Sequence, residues 1–157
     1  MAVQEMTVGK LEGLSAIPIR NGPEDASMTW ERGSVLIPDL ATGEIKEAGN
    51  EPVADIIGIA VADASTVTGT DTLYVPADVS GVVFEGNIGT SITAGDIAAT
   101  DLFEDYPLTL TGTEWFVDKT DNTNPAVRVT GFKDAIGTTN GRVYFVFIKD
   151  ALLVNTT

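Results

Sequence analysis

The side chains that most often do chemistry near neutral pH are missing from this sequence, which contains no histidine and no cysteine. Without imidazole there is no common general base and no imidazole metal ligand. Without thiols there is no thiolate nucleophile, no sulfur ligand for zinc or an iron–sulfur cluster, and no disulfide framework. Carboxylates remain, and a glycosidase-like pair such as Glu104 with Asp118 can be nominated. Among 23 acids, however, some pair always can be. Thr70-Asp71-Thr72 approaches an aspartic-protease turn but lacks the glycine that should follow. Gly137-Thr138-Thr139-Asn140-Gly141 is glycine-bounded but has no phosphate-loop lysine, and it reads better as a hairpin loop with Asn140-Gly141 supplying positive φ. The oxygen-rich run Asp118 to Asn124 is a candidate calcium loop, but its spacing is not that of an EF-hand and Lys119 interrupts it. Trp30, Trp115, Phe116 and Phe132 offer either a sugar-stacking platform or anchors for a core or an interface. The expectation is a protein that is not an enzyme and needs no cofactor or metal.

The elements that would carry these residues read as strands. Short apolar segments separated by turn chemistry about every ten residues are the pattern of a β-barrel or sandwich. Ser34 to Ile37, a turn at Ala41-Thr42-Gly43 and a return over Glu44 to Ala48 predict a hairpin. Val53 to Val61 is nearly all apolar and predicts a buried central strand, with Gly58 at a bulge or a close backbone approach. Thr72 to Val75, Gly81 to Gly86, Ile97 to Thr100, Leu108 to Leu110, Trp115 to Val117 and Val127 to Phe132 continue the series. Val143 to Ile148 is the most strand-like segment of all. The predicted class is all-β, mainly strand with short helical turns, in a compact β-barrel or β-tulip-like domain.

Residues 1–29 show little alternation and contain the breaker Asn21-Gly22-Pro23, so they predict an extended N-terminal arm and loop ahead of a β-rich domain at 30–157. Two weak echoes, Gly33 to Leu40 with Gly95 to Leu102 and Ile57 to Ala64 with Val129 to Ala135, leave open either two similar units at 30–87 and 94–157 or recurrent strand-turn grammar. The formal charge is −14. Such a field repels phosphate backbones and anionic membranes, so neither nucleic acid nor membrane is an expected partner. It also suits a protein displayed in many copies. No run approaches the ~20 apolar residues of a membrane-spanning helix, and Met1 to Glu5 lack the basic start of a secretory signal.

From Gly33 to Glu85 the order of features resembles the small head-decoration, or cement, proteins of tailed bacteriophages, including the lambda-like type. The likeness lies in an N-terminal arm, a hairpin, and then the strand Ile56-Ile57-Gly58-Ile59-Ala60-Val61-Ala62. That resemblance implies a homotrimer on the outer surface of an icosahedral virion, bound to the major capsid protein and bridging its subunits. It also implies an arm that adds a strand to a capsid loop, with Met6, Val8, Leu11 and Leu14 filling pockets. Under that reading Trp30 and Trp115 are interface aromatics, and deletion of Met1 to Leu14 should abolish attachment while leaving the domain folded. The competing reading is a carbohydrate- or surface-binding β module of a phage tail or cell envelope. It would use Trp30 or Trp115 and the Asp118 to Asn124 loop.

Overall fold

A computed structural model describes residues 4–26, 28–89 and 95–153. In chain order its strands are β1 (Thr7–Leu11), β2 (Arg20–Pro23), β3 (Val35–Pro38), β4 (Ile45–Glu47), β5 (Gly58–Ala60), β6 (Asp71–Pro76), β7 (Val82–Ile88), β8 (Asp105–Tyr106), β9 (Leu108–Thr111), β10 (Glu114–Val117), β11 (Val127–Phe132) and β12 (Arg142–Phe147). The only helical elements among these residues are 3-10 turns at Ala99–Asp101 and Lys149–Ala151. The fold is all-β.

Five strands in the order β2-β6-β5-β3-β4 curl into a small, nearly closed barrel. Just beyond β2, Glu24 bridges Ile45 of β4, and the Asp25 N–H donates to the Ile45 carbonyl at 2.9 Å. This contact covers an edge that would otherwise expose unpaired backbone groups. At Gly58 the β6 backbone passes so close that an added Cβ would clash with the Val75 carbonyl oxygen. Trp30, Leu36, Ile45, Ala60 and Tyr74 fill the interior.

The remaining strands form a seven-stranded sheet, β8-β11-β12-β7-β10-β9, with β1 also paired to β7. Strand β7 is buried along its whole length. It pairs antiparallel with β12 on one side. Its other side is shared, antiparallel by β1 from Thr7 opposite Glu85 and parallel by β10 from Phe116 opposite Asn87. Phe84 of β7 stacks on Phe145 at 5.9 Å and meets Phe147 edge-on at 5.2 Å. This aromatic group lies in the main core, together with Met6, Val35, Ile59 and Val75.

Several expectations need correction. The N-terminal segment is not a free arm: Thr7–Leu11 is a strand of the larger sheet, Arg20–Pro23 is a barrel strand, and Met6 is only 2% exposed. Hydrophobic side chains at Met6 and Val8 find a core within their own chain. The division at 30–87 and 94–157 also fails to follow the sheets, because β7 pairs with β10 and β12 from the second half. Residues 1–3 of the arm and the junction at 90–94 lie outside the described residues. In the first echo a strand, β3, corresponds to the 3-10 turn at Ala99–Asp101. That turn also replaces the strand expected over Ile97 to Thr100. The strand expected from Val53 starts only at Gly58, because Asp55 takes positive φ (63°) and breaks the extended run.

Candidate functional site

The N-terminal segment is held by a buried charge. Arg142 opens β12, and its guanidinium uses all five N–H hydrogens. They reach Glu85 Oε1 (3.0 Å), Asn87 Oδ1 (2.9 Å) and the carbonyls of Gln4 (3.2 Å), Glu5 (2.9 Å) and Glu85 (3.2 Å). The Gln4 N–H donates to Asn87 Oδ1 at 3.0 Å, and Lys133 Nζ bonds both Glu85 oxygens at 2.9 and 3.1 Å. The cluster therefore ties residues 4 and 5 to β7 and β12. Beyond it Met6 enters the core, while Val8, Leu11 and Leu14 pack partly buried against it.

Beside β1 a groove of about 430 Å³ opens between the two sheets, lined chiefly by Met6, Val8, Ile17, Ile19, Val75 and Phe84. Ile17 and Ile19 are 47% and 48% exposed at its mouth. Leu73, likewise exposed, shares the face of β6 that carries Val75. An adjoining cavity of about 570 Å³ is acidic, with Glu31, Asp63 and Glu114 on its walls. Arg32 and Glu5 line both spaces and form an ion pair at 2.9 Å, and the Arg32 backbone N–H donates to Asp63 Oδ1 at 2.8 Å. The arrangement is an aliphatic trough with a charged end.

The other nominated residues do structural work. Trp30 fills the small barrel and donates from Nε1 to the Ala62 carbonyl at 3.2 Å. Trp115 fills the main core and donates to Glu47 Oε1 at 3.1 Å. Trp30 is 2% and Trp115 4% exposed, so little of either indole is open to a sugar or a second subunit, although Trp115 borders the cavity of about 570 Å³. Asp118 accepts from Thr109 Oγ1 (2.7 Å) and from the Thr120 N–H and hydroxyl (3.0 and 2.9 Å). Asp121 accepts from the Thr123 hydroxyl and N–H, both at 2.7 Å, and these bonds hold its carboxyl below the usual range. Lys119 turns back to the Asp96 carbonyl at 2.6 Å and to Asp101 at 2.9 Å. The run from Asp118 to Asn124 is thus a chain of self-closed turns. Among the described residues no three carboxylates gather as a cation site.

Besides the Arg142 cluster and the groove, a further residue lay outside the sequence-based expectations. Phe103 follows the 3-10 turn at Ala99–Asp101, is 69% exposed, and has φ 67°. A bulky side chain in that left-handed region is a real conformational outlier. The available signal was its setting, Asp101-Leu102-Phe103-Glu104-Asp105, an aromatic among acids where a core residue would have apolar neighbours. The chain matches no protein-family model, no curated protein and no solved structure.

Proposed function

We propose that this chain is a capsid decoration protein, a non-catalytic β module seated on the outer face of an icosahedral phage shell. Acting as a homotrimer, it would stabilise the shell by bridging capsid subunits. The resemblance over Gly33 to Glu85 suggests the class. The observation that carries the reading is the aliphatic groove beside β1, which displays Ile17 and Ile19 at its mouth on a chain of formal charge −14. Burying such surface contributes about 25 cal/mol per Å², and several copies on one shell multiply a modest single contact into firm attachment. Attachment would run through these side chains and not through a free arm, because β1 already belongs to the protein's own sheet. Its occupant would be an apolar segment of the major capsid protein. With both tryptophans buried, the carbohydrate-binding reading loses its platform.

Co-sedimentation with shells assembled from the major capsid protein of the same virus tests the proposal. The wild-type chain should pellet with the shells. The double variant Ile17→Asp and Ile19→Asp should remain folded, because both side chains are largely exposed, and should stay in the supernatant. Equal pelleting by the variant would remove the groove from the interface. Failure of the wild-type chain to pellet would remove the capsid reading itself.

A further inference from the structure

We propose that Phe103 is a preformed anchor that inserts into an apolar, lysine- and arginine-rimmed pocket on a second capsid subunit, adjacent to the one held at the groove. The inference rests on the capsid reading. It adds the second contact that a bridging module requires.

Three observations converge on this residue. The first is its conformation. Glycine, or at most asparagine, would hold φ 67° at little cost, yet the position carries a phenylalanine whose ring is mostly in water. Conformational strain in a folded chain persists only where the surroundings enforce it, and an outlier of this kind points toward use.

The second observation is the rigidity of its support. Buried Asp101 accepts from the Ala98 N–H (2.7 Å), the Tyr106 hydroxyl (2.9 Å) and Lys119 Nζ (2.9 Å). The Phe103 N–H donates to the Val129 carbonyl at 2.9 Å, and the Val129 N–H returns a bond to the Glu104 carbonyl at 3.0 Å. The ring is therefore presented on a turn fixed before any partner arrives. That lowers the ordering cost of binding, and aromatic anchors in partner pockets dominate many interfaces.

Position is the third. Phe103 lies just before β8, an edge strand of the seven-stranded sheet, whereas the groove adjoins β1 beyond β11, β12 and β7. Four strand spacings separate the two edges, about 19 Å. Two contacts that far apart on one rigid sheet can engage two subunits. The charge pattern selects the partner. Exposed Glu104 follows Phe103 in the chain, Asp105 is neutralised by Arg128, and the chain as a whole carries 23 acids against 9 bases. A second copy would bring more negative charge to this edge, whereas a pocket rimmed by bases would complement it.

Shell binding by Phe103→Gly and Phe103→Tyr, measured beside the wild-type chain at low and high salt, tests the assignment. Phe103→Gly should melt at or above the wild-type temperature, since the strain is relieved and little packing is lost. It should bind shells about thirtyfold more weakly, a hot-spot loss. Phe103→Tyr keeps the ring and should bind within a few-fold of wild type, and wild-type binding should weaken as salt rises. Equal binding by the glycine variant overturns the anchor while leaving the groove intact. A clearly lowered melting temperature for Phe103→Gly overturns it too, because the ring would then be serving the fold. If the wild-type chain binds no shells, the capsid reading and this assignment fall together.

Discussion

Two places in this molecule are built around buried ion pairs, and they dispose of the neighbouring apolar side chain in opposite ways. At the N-terminal segment, Arg142 and Glu85 fix residues 4 and 5 so that Met6 is delivered into the core. At the turn before β8, Asp101 and Lys119 fix the backbone so that Phe103 is held out in solvent. A buried ion pair is a poor source of net stability, since desolvation offsets most of the attraction. It is a good positioning device, because its geometry tolerates few alternatives. At the first site the positioning is repaid at once by packing. At the second it maintains a left-handed phenylalanine costing roughly 1–2 kcal/mol, with no compensating burial in the isolated chain. The first site is explained by the fold alone, and the second is where the proposed partner contact would recover that cost.

The strongest attack on the first half of this comparison is to delete Met1 to Leu14. The truncation removes β1, the buried Met6 and the Gln4 and Glu5 carbonyls that satisfy Arg142. Losing a buried methionine alone costs about 2–5 kcal/mol, against a typical total stability of about 5–15 kcal/mol. No cooperative thermal transition is expected in circular dichroism. A truncated chain melting like the full-length one would restore the free arm that the sequence suggested.

Arg142→Ala probes the same site more locally. It leaves Glu85 buried with only the half-exposed Lys133 for a partner and frees the Gln4 and Glu5 carbonyls. Removing one member of such a pair destabilises by about 3–5 kcal/mol. Urea unfolding should show a large drop in midpoint. A change below about 1 kcal/mol would mean that the guanidinium does not organise the segment.

How much of this could be read in advance depends on the range of the interaction. The β3–β4 hairpin was legible because its signal is local, Ser34 to Ile37, a glycine turn and a return. The loop before β12 was legible for the same reason, and Asn140 does take φ 49°. Gly141 is there for a different cause than expected: an added Cβ would meet Ile97 Cδ1 at 2.6 Å. Strand β1 was missed because it has no clean alternation. Its partner β7 lies some seventy residues away, and nothing local announces that pairing. Arg142, Glu85 and Asn87 were missed because charged and amide residues are normally read as surface, and only the assembled sheet shows them buried. The tryptophans, expected as core or interface anchors, lie in the two hydrophobic cores. Whether a ring anchors a core or an interface is decided by tertiary packing.

The finest test addresses the second site through Tyr106, whose hydroxyl donates to Asp101 at 2.9 Å. Burial first, and then this hydrogen bond, push the phenol above its ordinary value near 10. The unfolded chain therefore loses the proton at a lower pH than the folded one. The stabilisation is complete below about pH 10 and is lost as pH rises toward the higher folded value. Tyr106→Phe should lower stability by about 1–2 kcal/mol at neutral pH and flatten the alkaline limb of urea midpoint against pH. Some slope should survive, because burial raises Tyr74 as well. Since Asp101 keeps Lys119 and the Ala98 N–H, the turn should hold and shell binding should change little. Parallel limbs for variant and wild type would show that the hydroxyl does not brace Asp101. The turn that carries the strained phenylalanine would then be held by Lys119, the Ala98 N–H and the Phe103 backbone bond to Val129.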